Sequence, residues 1–186
     1  MDIQKFFELS AGKWFSQRTS YQLLLTETEN SKSEITIDLL SPDDTALKEL
    51  CQQANLEAGT DSIGLKYNWD TSVDWGNKAH KGSTILVAIA NPNNPQEGQL
   101  LRKLSDSVQS ENTGRYRIGN DEAVTLMIEE NGAYIEERIW FASENLRMRT
   151  SVVKRDGKCY LTSFYSEIRR LSPQPESTEK STANQA

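Results

Sequence analysis

Apolar and polar residues alternate along most of this chain with a period of two, the spacing of a β-strand whose faces see different surroundings. The alternation predicts strands over Lys13–Leu25, Glu34–Leu39, Ile63–Trp69, Ser72–Trp75, Ser83–Ala90, Gln99–Leu104, Thr113–Ile118, Ala123–Glu129, Tyr134–Phe141, Leu146–Lys154 and Lys158–Arg169. The breaks between them carry turn chemistry. Asn131-Gly132 and Asp156-Gly157 are two-residue hairpin signals, and Gly119-Asn120 and Asn91-Pro92-Asn93-Asn94-Pro95 interrupt the pattern further.

The period changes in two places. Ile3, Phe6, Phe7 and Leu9 predict a short helical lid over Asp2 to Ser10. Ser41-Pro42-Asp43-Asp44 offers an N-cap serine, a proline at the first helical position and an acid three residues after the cap. Leu47, Leu50, Cys51 and Ala54 then recur at helical spacing, with Gly59 beyond the end. The expected fold is therefore mainly β. About ten short strands in hairpin succession, with one or two short helices, fit an antiparallel up-and-down barrel, and a sandwich is the alternative. Closure removes exposed edges and leaves room for one small ligand. Residues 1–171 make the barrel domain, and the Pro- and Ser-rich stretch 172–186 is expected to be a disordered tail.

The chain has 186 residues, 36% hydrophobic and 8% aromatic, enough for one domain with a lean core. Its net charge of −6 argues against general nucleic-acid binding, which rests on neutralising phosphates. No apolar run approaches a membrane span, and Met1-Asp2-Ile3-Gln4-Lys5 does not open a secretory signal. Cys51 and Cys159 are the two cysteines of the chain and make neither a metal cluster nor a disulfide framework, so reduced thiols and a cytosolic setting are expected. His80 has no partner motif and reads as a solvated loop histidine.

Candidate chemistry concentrates in residues 136–151, read as two strands joined at Ser143-Glu144-Asn145. Arg147, Arg149 and Ser151 share one face of the second strand. Ile135, Glu137, Ile139 and Phe141 share one face of the first. A carboxylate among large apolar groups is costly to bury without a partner. Paired arginines beside one misplaced acid suit a ligand that carries carboxylates and a basic, hydrogen-bonding centre. A one-residue slip would exchange Glu137 for Glu136, and both remain open.

Gly12-Lys13-Trp14 resembles the strand opening of lipocalins and fatty-acid-binding proteins, where the tryptophan closes the barrel bottom. The longer run Gly12-Lys13-Trp14-Phe15-Ser16-Gln17-Arg18-Thr19-Ser20, with Gly114-Arg115-Tyr116-Arg117-Ile118-Gly119, Asp121-Glu122-Ala123 and the 136–151 block, resembles the S-type phycobiliprotein lyases, the CpcS/CpeS family, over about residues 1–170. The resemblance implies a ten-stranded lipocalin-like barrel. It implies a linear tetrapyrrole (bilin) such as phycocyanobilin as substrate, with no permanently bound cofactor. The bilin would be joined by a thioether to a cysteine of an apo-phycobiliprotein such as the phycocyanin β-subunit or allophycocyanin.

On that reading Arg18, Arg147 and Arg149 are candidates for the bilin propionates, although Arg18 could instead close the barrel against Trp14 by a cation–π contact. Glu137 would face the pyrrole nitrogens and favour the protonated bilin. Trp69 and Trp75 share parity, and their flat rings suit a conjugated ligand. Ser151 could bond a propionate. A lyase partner subunit or a homodimer is a further expected assembly. The setting would be the cyanobacterial cytosol or a plastid stroma. The competing readings are a carrier of a fatty acid or other amphiphile and an accessory subunit of a heteromeric lyase.

Overall fold

The computed structural model describes residues 1–56, 58–59, 62–75, 78–104, 111–130 and 132–171. The tail 172–186, Asn131 of the expected hairpin turn and Asn77 of the His80 loop lie outside the described residues. Ten strands form one closed barrel: β1 (Gly12–Gln22), β2 (Glu27–Leu40), β3 (Ser62–Asp70), β4 (Lys81–Asn91), β5 (Asn94–Leu104), β6 (Glu111–Ile118), β7 (Val124–Glu130), β8 (Ala133–Ser143), β9 (Leu146–Arg155) and β10 (Lys158–Arg169). Each pairs antiparallel with its chain neighbours, and β10 returns to pair with β1 in the register Trp14↔Arg169 to Gln22↔Leu161. The barrel, and not the sandwich, is the outcome.

Two expected strand stretches are turns. Ser72–Trp75 lies in the connection after β3. There the Ser72 amide donates to Asp70 Oδ1 (2.9 Å) and the Asp74 amide to the Thr71 carbonyl (2.9 Å), local bonds that replace a ladder. Leu23–Leu25 leave β1 after Gln22. The Leu25 amide donates to the Gln22 carbonyl (3.1 Å), and Thr26 takes a positive φ of 53°. The helices are α1 (Ile3–Ser10) and α2 (Thr45–Gln53). The cap of α2 is Asp44, whose carboxylate accepts from the Ala46 amide (2.9 Å). Ser41 and Pro42 precede it in a turn closed by the Asp44 amide on the Ser41 carbonyl (2.8 Å).

The β4 sequence Thr84–Ile89 is almost wholly apolar because both faces are covered. Leu86 and Ala88 face the interior. Val87 packs with Leu101 under Leu47, Leu50 and Cys51 of α2 on the outside. Burial pushes the Cys51 thiol pKa up.

The helix α1 plugs one end of the barrel. Its Ile3, Phe6 and Phe7 are buried with Trp14, and Phe6 meets Phe141 edge-on at 5.5 Å. Trp14 is fully buried, and its indole donates to the Ser10 carbonyl (2.9 Å). Arg169 fixes the plug. Its guanidinium donates to the Leu9 carbonyl (2.6 Å) and the Ala11 carbonyl (2.7 Å) at the end of α1, and lies 4.1 Å over the Trp14 ring. Arg169, and not Arg18, makes the cation–π closure with Trp14 that the sequence suggested.

Gly12 is required where the plug joins β1. It sits at φ +119°, and a Cβ there would lie 2.9 Å from Arg169 Nη1. Gly12→Ala is expected to cost about 2 kcal/mol through backbone strain, a fall of roughly 4–8 °C in melting temperature. A thermal melt of the two proteins checks it, and an unchanged midpoint would remove this role for Gly12.

Candidate functional site

The interior has two unlike sides. Ile35, Ile37, Leu65, Leu86, Leu126, Ile128 and Ile139 make an apolar wall from β2 round to β8. The β9, β10 and β1 strands turn polar residues inward instead: Arg147, Arg149 and Ser151, then Ser163, Tyr165 and Glu167, then Ser16, Arg18 and Ser20. On β10 the apolar Phe164 and Ile168 go outward and are exposed. Neighbouring polar groups satisfy one another, as in Ser20 Oγ and Ser163 Oγ at 2.8 Å. Between the two sides lies a cavity of about 690 Å³, inside the range of drug-sized ligand sites.

Glu167 anchors the polar side. It is fully buried and accepts from Arg147 Nε at 2.6 Å, with Arg149 Nη2 at 3.4 Å and the Ser16 hydroxyl at 3.5 Å. Burial acts to raise its pKa, but Arg147 and then Arg149 outweigh burial and hold it below the usual carboxylate range. Arg147 is thereby committed: it pairs with Glu167 and lies 4.9 Å over Trp14 while still reaching the cavity wall.

Arg149 faces the cavity more freely. Its guanidinium stacks 3.8 Å over Tyr165, and its Nη1 lies 3.7 Å from Glu137 Oε2. Burial acts to lower its pKa. Tyr67, Glu167 and Glu137 outweigh burial, so it stays cationic. Burial likewise lifts the Tyr67 phenol above its usual range. The Nε donors of Arg149 and of Arg18 are both buried without a partner. Arg18 otherwise pairs with Glu29 at 3.1 Å near the open end.

Glu137 lines the cavity, opposite Ser151 in the ladder. Glu136 accepts from the Tyr134 hydroxyl at 2.8 Å and takes no part in the lining. The slip that the sequence left open is settled by the register of β8 against β9.

The open end is framed by the connection 71–80. Trp69 lies across Gly82, where a Cβ would sit 2.2 Å from its ring. Its indole donates to His80 Nδ1 (3.3 Å), and the two rings stack at 6.3 Å and 20°. His80 is exposed, as a loop histidine should be, yet it lines the cavity mouth and clasps Thr71 through backbone and hydroxyl bonds of 2.8–3.1 Å.

Of the residues singled out by sequence, Arg18, Trp69, Glu137, Arg147 and Arg149 line one cavity. Ser151 is buried on the same polar side but outside the lining. Trp75 is 93% exposed and does not line the cavity; the parity it shares with Trp69 has no meaning once the strand ends at Asp70. Sequence reasoning missed Glu167, Tyr67, Tyr165 and His80. The available signal was the row Ser163, Tyr165, Glu167 on one face of β10, polar where a soluble strand hides apolar groups. Among the described residues no cluster of His, Cys, Asp and Glu could hold a metal ion, and no helix is long and apolar enough to cross a membrane.

Residues 2–170 match the family model described as CpeS-like protein. A chromophore lyase CpcS/CpeS of Thermosynechococcus vestitus is 47% identical over 94% of this chain and 96% of its own length. A phycocyanobilin lyase subunit CpcS of Picosynechococcus sp. is 34% identical over 90% of this chain and 86% of its own. The solved S-type phycobiliprotein lyase CPES of Guillardia theta superposes with a TM-score of 0.77 at 33% identity, covering 93% of this chain and 95% of that one.

Proposed function

This chain belongs to the CpeS-like family, and on that premise we propose that it is a chromophore lyase that binds a phycocyanobilin-like bilin and attaches it to a cysteine of an apo-phycobiliprotein. One observation carries the reading to this chain's own residues: the guanidinium-bearing side chains of Arg18 and Arg149 line the same cavity as the inward carboxylate Glu137. Two propionates answer two arginines through charge-assisted bonds. Protonated pyrrole nitrogens answer a carboxylate. A fatty acid has one carboxylate and nothing to offer Glu137. The apolar wall and the Trp69 ring suit the conjugated body of the ligand.

The chemistry asks little of the protein beyond positioning. The acceptor thiolate adds to the ring A ethylidene, a carbon–sulfur bond forms, and the proton lost by the thiol ends on the tetrapyrrole. No group leaves and no oxidant is needed. Glu137 favours the protonated bilin, the better electrophile. Arg149 holds Glu137 in place and binds a propionate. The closed barrel keeps water and stray thiols from the ethylidene. This reading places the protein where apo-phycobiliproteins are assembled, the cyanobacterial cytosol or a plastid stroma.

The test is a phycocyanobilin titration read by absorption and fluorescence, followed by apo-phycocyanin β-subunit and a denaturing gel read by zinc fluorescence. A red-shifted complex and then a fluorescent acceptor band are expected. Binding without transfer would favour an accessory role, and no binding would favour a carrier of another amphiphile. Glu137→Gln is expected to retain binding, lose part of the red shift and slow transfer by about 10²-fold, the lower end for a positioned acid or base. A variant with the parent's spectrum and rate would remove Glu137 from the reaction.

A further inference from the structure

The end of β1 and the turn to β2 present Tyr21, Leu23, Leu24 and Leu25 to solvent at 47, 46, 66 and 57% exposure. A run of exposed apolar residues is a liability unless it meets a partner. The turn is held by its backbone: the Leu23 amide donates to the Tyr160 carbonyl (3.1 Å) and the Leu25 amide to the Gln22 carbonyl (3.1 Å). None of the three leucines joins either core cluster. The fold therefore displays these side chains without using them.

Their place is the open end of the barrel. β1 starts at the α1 plug and runs away from it, so the turn stands at the far end. Glu29, two residues (roughly 7 Å) into β2, already lines the cavity. The β3–β4 connection stands at the same end, because β3 runs parallel to β1 through their shared antiparallel neighbour β2. In it Asp74 lines the cavity and the adjacent Trp75 points to solvent.

We infer that the Tyr21–Leu25 stretch is the surface on which the acceptor subunit docks, an inference that rests on the lyase reading of the cavity. Two arguments select this occupant. A second copy seated here would cover both cavity mouths, whereas the acceptor is the partner that has to reach the mouth. Four side chains that are each about half exposed offer on the order of a few hundred Å², below the ~800 Å² per partner of a stable interface and suited to a complex that must part after each transfer. Leucine and aromatic groups at such a rim act as anchors while the polar residues around them set orientation.

The test uses Leu24→Ser and the triple change of Leu23, Leu24 and Leu25 to Ser in the full chain, with circular dichroism to verify folding. Phycocyanobilin affinity is expected to stay at the parent value. The KM for apo-phycocyanin β-subunit should rise about tenfold or more while kcat at saturating acceptor is largely kept. A direct binding measurement of the ligand-free protein with the acceptor separates this inference from the lyase reading. If the parent binds the acceptor through these leucines yet transfers nothing, the docking surface stands and the lyase reading falls. Unchanged acceptor KM and affinity in the triple variant would overturn the docking surface. So would a shift from dimer to monomer in sedimentation with unchanged KM, which would assign the patch to a second copy.

Discussion

Glu167→Ala is expected to lower the unfolding free energy by about 3–5 kcal/mol, because it leaves the buried Arg147 guanidinium without its counter-charge. A urea titration at neutral pH measures it. Should the Ala variant fail to fold, Glu167→Gln keeps the packing and an acceptor for Arg147 and should show a smaller loss in the same direction. The effect has a pH signature. The folded-state pKa of Glu167 lies below its ordinary value, since Arg147 and Arg149 outweigh burial. A depressed carboxylate contributes stability that is fully present above the unfolded pKa of about 4.3 and is lost as pH falls through the folded value. The gap between parent and Glu167→Gln should therefore be constant from neutral pH down to about 5 and close in more acid solution. A gap under about 1 kcal/mol at pH 7 would mean that the pair is not the anchor described here.

Arg149→Ala is expected to weaken phycocyanobilin binding about 100-fold, roughly 3 kcal/mol, the worth of a well-placed charge-assisted contact. The fold should survive, because Glu167 keeps Arg147 at 2.6 Å. Arg149→Lys should recover only part of the affinity. A lysine restores the charge, but it lacks both the flat fork and the stacking plane that Arg149 lays 3.8 Å over Tyr165. Fluorescence titration of the three proteins decides the matter, with far-UV circular dichroism as the check on folding. An Arg149→Ala protein that binds phycocyanobilin like its parent would remove the propionate role, and Arg18, which lines the same cavity, would then be the residue to test.

Both expectations lean on residues of unequal visibility in the sequence. Arg149 announced itself, because Arg147, Arg149 and Ser151 repeat at period two in a block that resembles one family. Glu167 did not. Its neighbours Phe164 and Ile168 are apolar, so simple alternation would bury them and expose the acid. The reverse holds, since the β10–β1–β9 side of the interior is polar and Ser16, Arg147 and Arg149 meet Glu167 only when the barrel closes. Leu23–Leu25 looked like the end of a strand because an apolar run does not say whether its backbone stays extended. Trp75 was matched to Trp69 by parity, which holds only inside an unbroken strand, and the Asp70 and Thr71 bonds end that strand first.

The sequence by itself determined the order of the ten strands, though it added Ser72–Trp75 and began β2 at Glu34 and β5 at Gln99 where the structure begins them at Glu27 and Asn94, and it determined the two helices, the closed antiparallel barrel as the leading architecture and the family. These follow from periodicity, turn residues and a local block, all properties of near neighbours in the chain. The tertiary structure alone decided which face of β8 is inside, which acid anchors the arginines, that His80 frames the mouth with Trp69 and that Trp75 stands clear of it. Each of these depends on β-ladder register and on barrel closure. Both set groups side by side that lie far apart in the chain, as in Ser16 and Glu167, 151 residues apart.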